Sequence, residues 1–264
     1  MLVAAVKETF PGERRVALIP ASVGPLVKAG WQVLIEAGAG EQAGFPDSQY
    51  VEKGAKIVPR AEALAADCLV QVRALGANPA AGQADLPLQR KGQVVIGMCD
   101  PLGRPADIQT LAKAGLTVFA LELVPRISRA QAMDVLSSQA SIAGYRAVLL
   151  AAATLPKMFP MVTTAAGTIT PAKVFIFGAG VAGLQAIATA KRLGAVVSAT
   201  DVRAAVKEQV QSLGAKFIET AQPTSNAEAS GGYAKAMDED FYKQQRAALL
   251  DVVAQQDVLI TTAA

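Results

Sequence analysis

Apolar residues recur along this chain in short β-rich runs separated by stretches with helical spacing. In the first half the runs are LVAAVK, WQVLIE, KIV, CLVQV, VVIGM and LTVFAL. Helical patterns lie between some of them: Ser22 to Lys28, AEALA and PADIQTLAKAG, with the turn-rich AGAGEQAGFPD after the second run. Strand signals alternating with helical ones predict a mostly parallel sheet with helices on its faces, a doubly wound arrangement.

SRAQAMDVLSSQASIAGYRAVLLAAATL, from Ser128 to roughly Leu155, then predicts one long alanine-rich helix that connects two domains and lines the cleft between them. Pro156, Pro160 and the TTAAGTITP stretch break the chain after it. The second half reads as a strand over 174–177, a helix from Val181 to Leu193, a strand over 195–200 and a helix from about Ala204 to Leu213. The strand AKFIE, a helix near Asp238 to Gln255 and the strand DVLITT complete it.

KVFIFGAGVAG, Lys173 to Gly183, carries the most specific chemistry. A lone GxGxxG is weak, but this one joins an apolar strand to a helix and is followed by a second strand ending in an acid, Asp201. Gly178 permits the tight turn, Gly180 lets backbone approach a pyrophosphate, and Gly183 lets the helix pack on the sheet. The pyrophosphate would lie on the positive end of that helix, against the turn Gly178, Ala179, Gly180, Val181, Ala182, Gly183. A carboxylate at Asp201 accepts hydrogen bonds from the adenosine ribose hydroxyls and repels a phosphate there, which favours NAD(H) over NADP(H). Val202 and Arg203 follow it, and Arg203 could draw a 2′-phosphate.

The expected fold is therefore α/β, with two doubly wound Rossmann-like domains joined by a long helix. The boundaries are 1–127 for the N-terminal α/β domain, 128–160 for the linking helix and hinge, and 161–264 for the NAD-binding Rossmann domain. Only four strand signals fall in the second domain, where a complete dinucleotide fold has about six. The expectation is a domain truncated at its C-terminal end, either as a fragment of a longer polypeptide or completed by another chain.

Composition narrows the chemistry. With 264 residues, 52% of them hydrophobic and 18% charged, the chain has length enough for two compact cores and does not read as disordered. The 25 Lys and Arg against 22 Asp and Glu give +3, too small and scattered an excess for nucleic acid. Cys68 and Cys99 form no CxxC pair or disulfide framework and read as buried, reduced and inert. There is no histidine, which removes the commonest metal ligand and the side chain best suited to proton transfer near neutral pH; no metal site is expected. The start has no signal-peptide pattern, and the long uncharged run Val174 to Ala190 reads as strand plus buried helix, so the chain is expected to be soluble with no transmembrane segment.

Two further segments carry alternative readings. TAQPTSNAEASGGYAKAMDED, 220–240, is either disordered or a lid with Tyr233 at its tip. Ser128 and Gln131 form an S-x-x-Q capping box at the start of the long helix, and Asp134 suits its dipole, so that region has a purely local reading too. The N-terminal charges Lys7, Glu8, Glu13, Arg14 and Arg15 read as a structural charged loop.

PRISRAQAMDVLSSQASIAGYRAV, together with KETFPGERRVALIP, GAGVAG and GGYAKAM, resembles the NAD(H)-binding component of the proton-translocating NAD(P) transhydrogenases, a family related to alanine dehydrogenase. The resemblance covers nearly all of the chain. It implies that Arg126, Gln131, Asp134 and Ser137 surround the nicotinamide: Asp134 and Ser137 bonding the carboxamide or ribose, Arg126 the carboxamide or phosphates, Gln131 reaching toward a second nucleotide. With helical spacing, 131, 134 and 137 would share one face. Tyr233 would tip a mobile loop over the nucleotide.

The resemblance also implies a Si/Re-specific transhydrogenase reaction. NADP(H) would sit on a partner component, beside a membrane-spanning proton-channel component. This chain would be a homodimer, peripheral on the cytoplasmic face of the inner membrane. An alanine dehydrogenase-like oxidoreductase needs a general base as well as a hydride acceptor. Alanine dehydrogenases carry a lysine on the strand matching CLVQV and a histidine near VVIGMCDPL, where this chain has Gln71, Val72 and Arg73 and no histidine. Hydride transfer between two nicotinamides needs no acid or base. An NAD-sensing module without turnover is the third reading.

Overall fold

The computed structural model describes residues 1–219 and 239–262, which form two compact units, Met1–Val124 and Pro125–Ala264. In the first, the order is β1 (Leu2–Ala5), α1 (Pro20–Lys28), β2 (Gln32–Glu36), α2 (Asp47–Glu52), β3 (Lys56–Val58) and α3 (Arg60–Leu64). It continues with β4 (Cys68–Arg73), α4 (Pro79–Asp85), β5 (Val94–Met98), α5 (Pro105–Lys113) and β6 (Thr117–Ala120). The six strands are all parallel, in the order β3-β2-β1-β4-β5-β6. This is the doubly wound order, with its reversal between β1 and β4. The six apolar runs of the first half each became a strand.

Side-chain alternation explains why both faces need helices. Ala4, Val6 and Leu34 enter one buried cluster while Ala5, Val33 and Ile35 enter another across the sheet. Pro20 and Pro105 open α1 and α5, where proline's missing N–H costs no hydrogen bond, and Lys28 and Lys113 lie in the last turns beside the negative helix ends.

The second unit contains α6 (Val135–Thr154), β7 (Val162–Thr164), β8 (Gly167–Ile169), β9 (Lys173–Phe177), α7 (Val181–Arg192), β10 (Val196–Thr200), α8 (Lys207–Ser212), β11 (Lys216–Phe217), α9 (Glu239–Val253) and β12 (Val258–Thr261). Its sheet has four parallel strands among the described residues, ordered β11-β10-β9-β12. That is the inner part of the same winding, and its reversal lies between β9 and β12, where the glycine turn emerges. Val174, Phe175 and Ile176 of β9 are fully buried, as the central strand of a sheet covered on both sides must be.

Two expectations are corrected. The helix thought to begin at Ser128 does not: Ser128–Met133 is a 3-10 turn, the chain bends at Asp134 (φ −76, ψ 86), and α6 starts at Val135. The predicted chain break after Pro160 holds a small antiparallel hairpin, β7 with β8, built from the β-branched pairs Val162 with Ile169 and Thr163 with Thr168 around Gly167 at φ +135. α6 belongs to the second unit and packs on α7.

Candidate dinucleotide site

The glycine turn is shaped by one left-handed residue, one close backbone approach and one hydroxyl hydrogen bond. Gly178 adopts φ +91, a conformation that strains other residues. A Cβ on Gly183 would stand 1.9 Å from the Gly178 carbonyl oxygen, so only glycine lets the first turn of α7 press onto the strand end. The Thr262 hydroxyl, just past β12, donates to that same carbonyl at 2.8 Å. Gly180 differs: around its Cβ position the first atom met is Arg203 Nη2 at 3.9 Å. Among the described residues the space above Gly180 is therefore open to a ligand, and α7 begins there with no side-chain cap from them on its N–H groups. An open glycine beside uncapped amides suits a pyrophosphate.

Asp201 stands at the tip of β10 and ties the turn from the other side. Its Oδ2 accepts the Ala179 N–H at 2.7 Å and Arg203 Nη2 at 2.9 Å; its Oδ1 accepts the Arg203 N–H at 2.8 Å and Nε at 2.9 Å. The carboxylate is 5% exposed and the guanidinium side chain 14%. Burial works against the charge, but the Arg203 guanidinium and the two backbone amides outweigh it and hold the carboxyl below its ordinary range. Val202 follows Asp201 on the connection to α8.

At the start of α6 three of the four residues assigned to the nicotinamide come together. Asp134 is the helix N-cap: its Oδ1 accepts the Ser137 N–H at 2.9 Å and its Oδ2 accepts the Ser137 hydroxyl at 2.7 Å. Arg126 donates to Ser137 Oγ at 3.3 Å and approaches Asp134 at 3.7 Å. The Ser137 amide and hydroxyl, then Arg126, keep the Asp134 carboxyl low. Gln131 lies in the preceding 3-10 turn, exposed, with its carbonyl accepting the Asp134 N–H at 3.2 Å. It shares no helical face with Asp134 and Ser137, and the S-x-x-Q box is not formed, because the cap role has passed to Asp134. Tyr233 falls outside the described residues.

Sequence reasoning missed two residues that shape this site. Thr262 has no motif to announce it. Gly144 had a signal: a glycine inside an alanine-rich helix costs about 1 kcal/mol relative to alanine and needs a reason. The reason is the Ala182 carbonyl oxygen, 2.1 Å from where a Cβ on Gly144 would be. This contact seats α6 on the glycine turn, and the stretch from Gly144 back to Ser137 spans about 10 Å at 1.5 Å per residue. A dinucleotide is long enough to reach from one to the other.

In the first unit the N-terminal charges form a clasp. Glu13 binds Arg15 at 2.6 Å and Arg73 at 3.0 Å, and Arg73 lies over the Phe10 ring at 4.3 Å. Glu8 accepts the Val72 and Arg73 amides, and burial pushes its carboxyl up. Among the described residues no cluster of Cys, Asp and Glu could hold a metal, and no helix is long and apolar enough to cross a membrane.

A doubly wound sheet with a glycine turn at its reversal, an acid on the neighbouring strand and an open helix N-terminus defines a dinucleotide-binding protein. Residues 4–143 match the family described as Alanine dehydrogenase/PNT, N-terminal domain, and 147–264 its C-terminal domain, so the chain belongs to the alanine dehydrogenase/PNT family.

Within that family it is 49% identical over 267 residues to the first part of the NAD(P) transhydrogenase alpha subunit of Rhodospirillum rubrum, across all of this chain and 69% of that protein. The protein described by the same words in Rickettsia prowazekii is 43% identical over 265 residues, across 100% of this chain and 68% of its own length. Alanine dehydrogenase 1 of Staphylococcus aureus is 31% identical over 152 residues, 58% of this chain and 38% of that one. Among solved structures, the transhydrogenase from Sinorhizobium meliloti matches with TM-score 0.85 and 47% identity over 99% of this chain and 69% of its own. An L-alanine dehydrogenase matches at 0.77 and 27%, over 100% and 74%. The similarity supports a transhydrogenase component with the cofactor fold of an oxidoreductase.

Proposed function

We propose that this chain is the NAD(H)-binding component of a proton-translocating transhydrogenase and transfers hydride directly between NADH and NADP+ held on a partner component. The observation that supports the reading is the glycine turn with Asp201 bonded to its Ala179 amide, which would join pyrophosphate and ribose recognition in one piece. NAD(H), when bound, supplies the hydride; the chain's residues supply position. The turn and the α7 amides would hold the pyrophosphate, with Asp201 and its neighbours Val202 and Arg203 at the adenosine ribose. Arg126, Asp134 and Ser137 would orient the carboxamide so that one ring face meets the acceptor, with Gln131 toward the second nucleotide and Tyr233 closing over the first.

The partners in this reading are an NADP(H)-binding component and a membrane-spanning proton-channel component. The chain would act as a homodimer on the cytoplasmic face of the inner membrane, with Si/Re stereochemistry at the rings. The lack of any histidine favours this over an alanine dehydrogenase, whose substrate must also lose a proton. The test is to titrate the chain with NADH and then add the partner component and an oxidised NADP analogue. Hydride exchange supports the reading, whereas alanine or pyruvate turnover by the chain alone, or binding without either reaction, contradicts it.

A further inference from the structure

All four acceptor directions of the Asp201 carboxylate are already filled, three of them by Arg203. The Arg203 N–H and Nε share Oδ1, at 2.8 and 2.9 Å, while Nη2 shares Oδ2 with the Ala179 N–H, at 2.9 and 2.7 Å. A carboxylate offers about four lone-pair sites, so nothing remains for a ribose diol to donate to. Among the described residues, the same Nη2 is the first atom met above Gly180, at 3.9 Å from its Cβ position. The guanidinium therefore covers the ribose acceptor and overhangs the open side of the turn at once. The two backbone bonds, from Ala179 and from Arg203, do not depend on the guanidinium and can persist with nucleotide present. The two guanidinium bonds cannot.

We propose that Arg203 is an internal occupant of the adenosine ribose subsite, a removable latch that nucleotide must displace from Asp201 before its ribose hydroxyls can bind. This rests on the reading of the glycine turn as an NAD(H) site. A fork of two donors on a carboxylate is what a ribose diol also presents, so the exchange swaps donor for donor. The latch keeps a buried acid satisfied without ligand, and the exchange lowers affinity by the cost of breaking the pair. Weaker binding of this kind suits a component that must release one nucleotide and take up another at every turnover.

The experiment is calorimetric titration of the purified chain with NADH, AMP and nicotinamide mononucleotide, for wild type, Arg203→Met, Asp201→Asn and the double variant, with thermal melting to establish folding. The methionine keeps the stem's packing and removes the fork. The latch predicts that Arg203→Met tightens NADH and AMP by about 3- to 10-fold, the scale of a net hydrogen bond or two, and leaves nicotinamide mononucleotide unchanged. In the Asp201→Asn background the same change gives no gain. Arg203→Lys, which retains charge without the fork, tightens NADH less and serves if the methionine variant fails to fold. NADH and AMP affinities unchanged or weakened in Arg203→Met would overturn the latch and leave the site reading standing. Wild-type protein that binds neither NADH nor AMP would overturn both.

Discussion

Gly144 in the middle of α6 faces the carbonyl of Ala182 so closely that a methyl group on it would lie 2.1 Å from the oxygen. One glycine thus fixes the distance between the helix that carries Asp134 and Ser137 and the turn that would carry the pyrophosphate. Gly144→Ala should destabilise the chain by about 1–3 kcal/mol through overpacking. It should also weaken NADH binding, because both halves of the site shift. Urea unfolding followed by NADH titration of the folded variant checks both effects.

Gly180→Ala should separate binding from stability. Its φ of −74 is ordinary and its Cβ position is open among the described residues, with Arg203 Nη2 at 3.9 Å the atom met there. The unfolding free energy should stay within about 0.5 kcal/mol of wild type. NADH affinity should fall by about tenfold or more, because the methyl group stands where backbone must meet the pyrophosphate. Equal losses in Gly180→Ala and Gly183→Ala would contradict this division, since Gly183 is packed against Gly178.

Asp134 caps α6 and is assigned to the nicotinamide, and the two roles can be told apart. Asp134→Asn keeps an oxygen for the Ser137 amide, and asparagine caps helices as well as aspartate does. Melting should therefore move little. Hydride exchange with the partner component should slow by about tenfold or more while NADH affinity changes less than about threefold, the signature of a group that acts on ring orientation. A parallel fall in rate and affinity would reduce Asp134 to a binding residue.

The Glu13 clasp makes an acid-labile contribution. The bond from Arg15 first, and then that from Arg73, outweigh burial and hold the carboxyl at about 2 against its ordinary 4.5. A group whose acidity is raised by folding stabilises the native state fully above the unfolded value and loses that stabilisation as pH falls toward the folded one. The stability difference between wild type and Glu13→Gln should therefore be constant above about pH 5.5 and shrink steadily below about pH 4.5. Urea midpoints across that range measure it.

Both cysteines should be silent. Burial, and then the nearby Glu122 carboxylate, push the Cys99 thiol up to about 12; burial and Asp67 raise Cys68. Because the thiolate is the reactive form, native protein at neutral pH should react with a thiol reagent only after denaturant is added. Rapid labelling of the folded chain would contradict it.

The winding of the sheets was legible because apolar runs separated by helical spacing leave few alternatives once connections are short and right-handed. The glycine turn and Asp201 were legible because their spacing reflects backbone geometry. The bend at Asp134 was not: Ser128 and Gln131 fit a capping box as well as Asp134 and Ser137 fit a cap, and only packing chooses between two local solutions. The hairpin at Val162 was hidden by the neighbouring prolines, and the seat of Gly144 on Ala182 is a long-range contact with no periodicity of its own. Nor could residue types say that Arg203 would turn back onto Asp201 rather than outward to a phosphate. Tyr233 lies outside the described residues, and its assignment to a lid stands as a proposal.

The central claim is that this chain positions a nicotinamide for hydride transfer without any acid or base. Its most direct test uses NADH carrying deuterium at the transferable position of C4, mixed with the chain, its NADP(H)-binding partner and an oxidised NADP analogue, with products read by mass spectrometry. The account predicts that the deuterium arrives on the analogue undiluted by solvent protons, and that no transfer occurs when the partner is left out. Deuterium lost to water, or NADH formed by the chain alone from NAD+ and alanine, would contradict it.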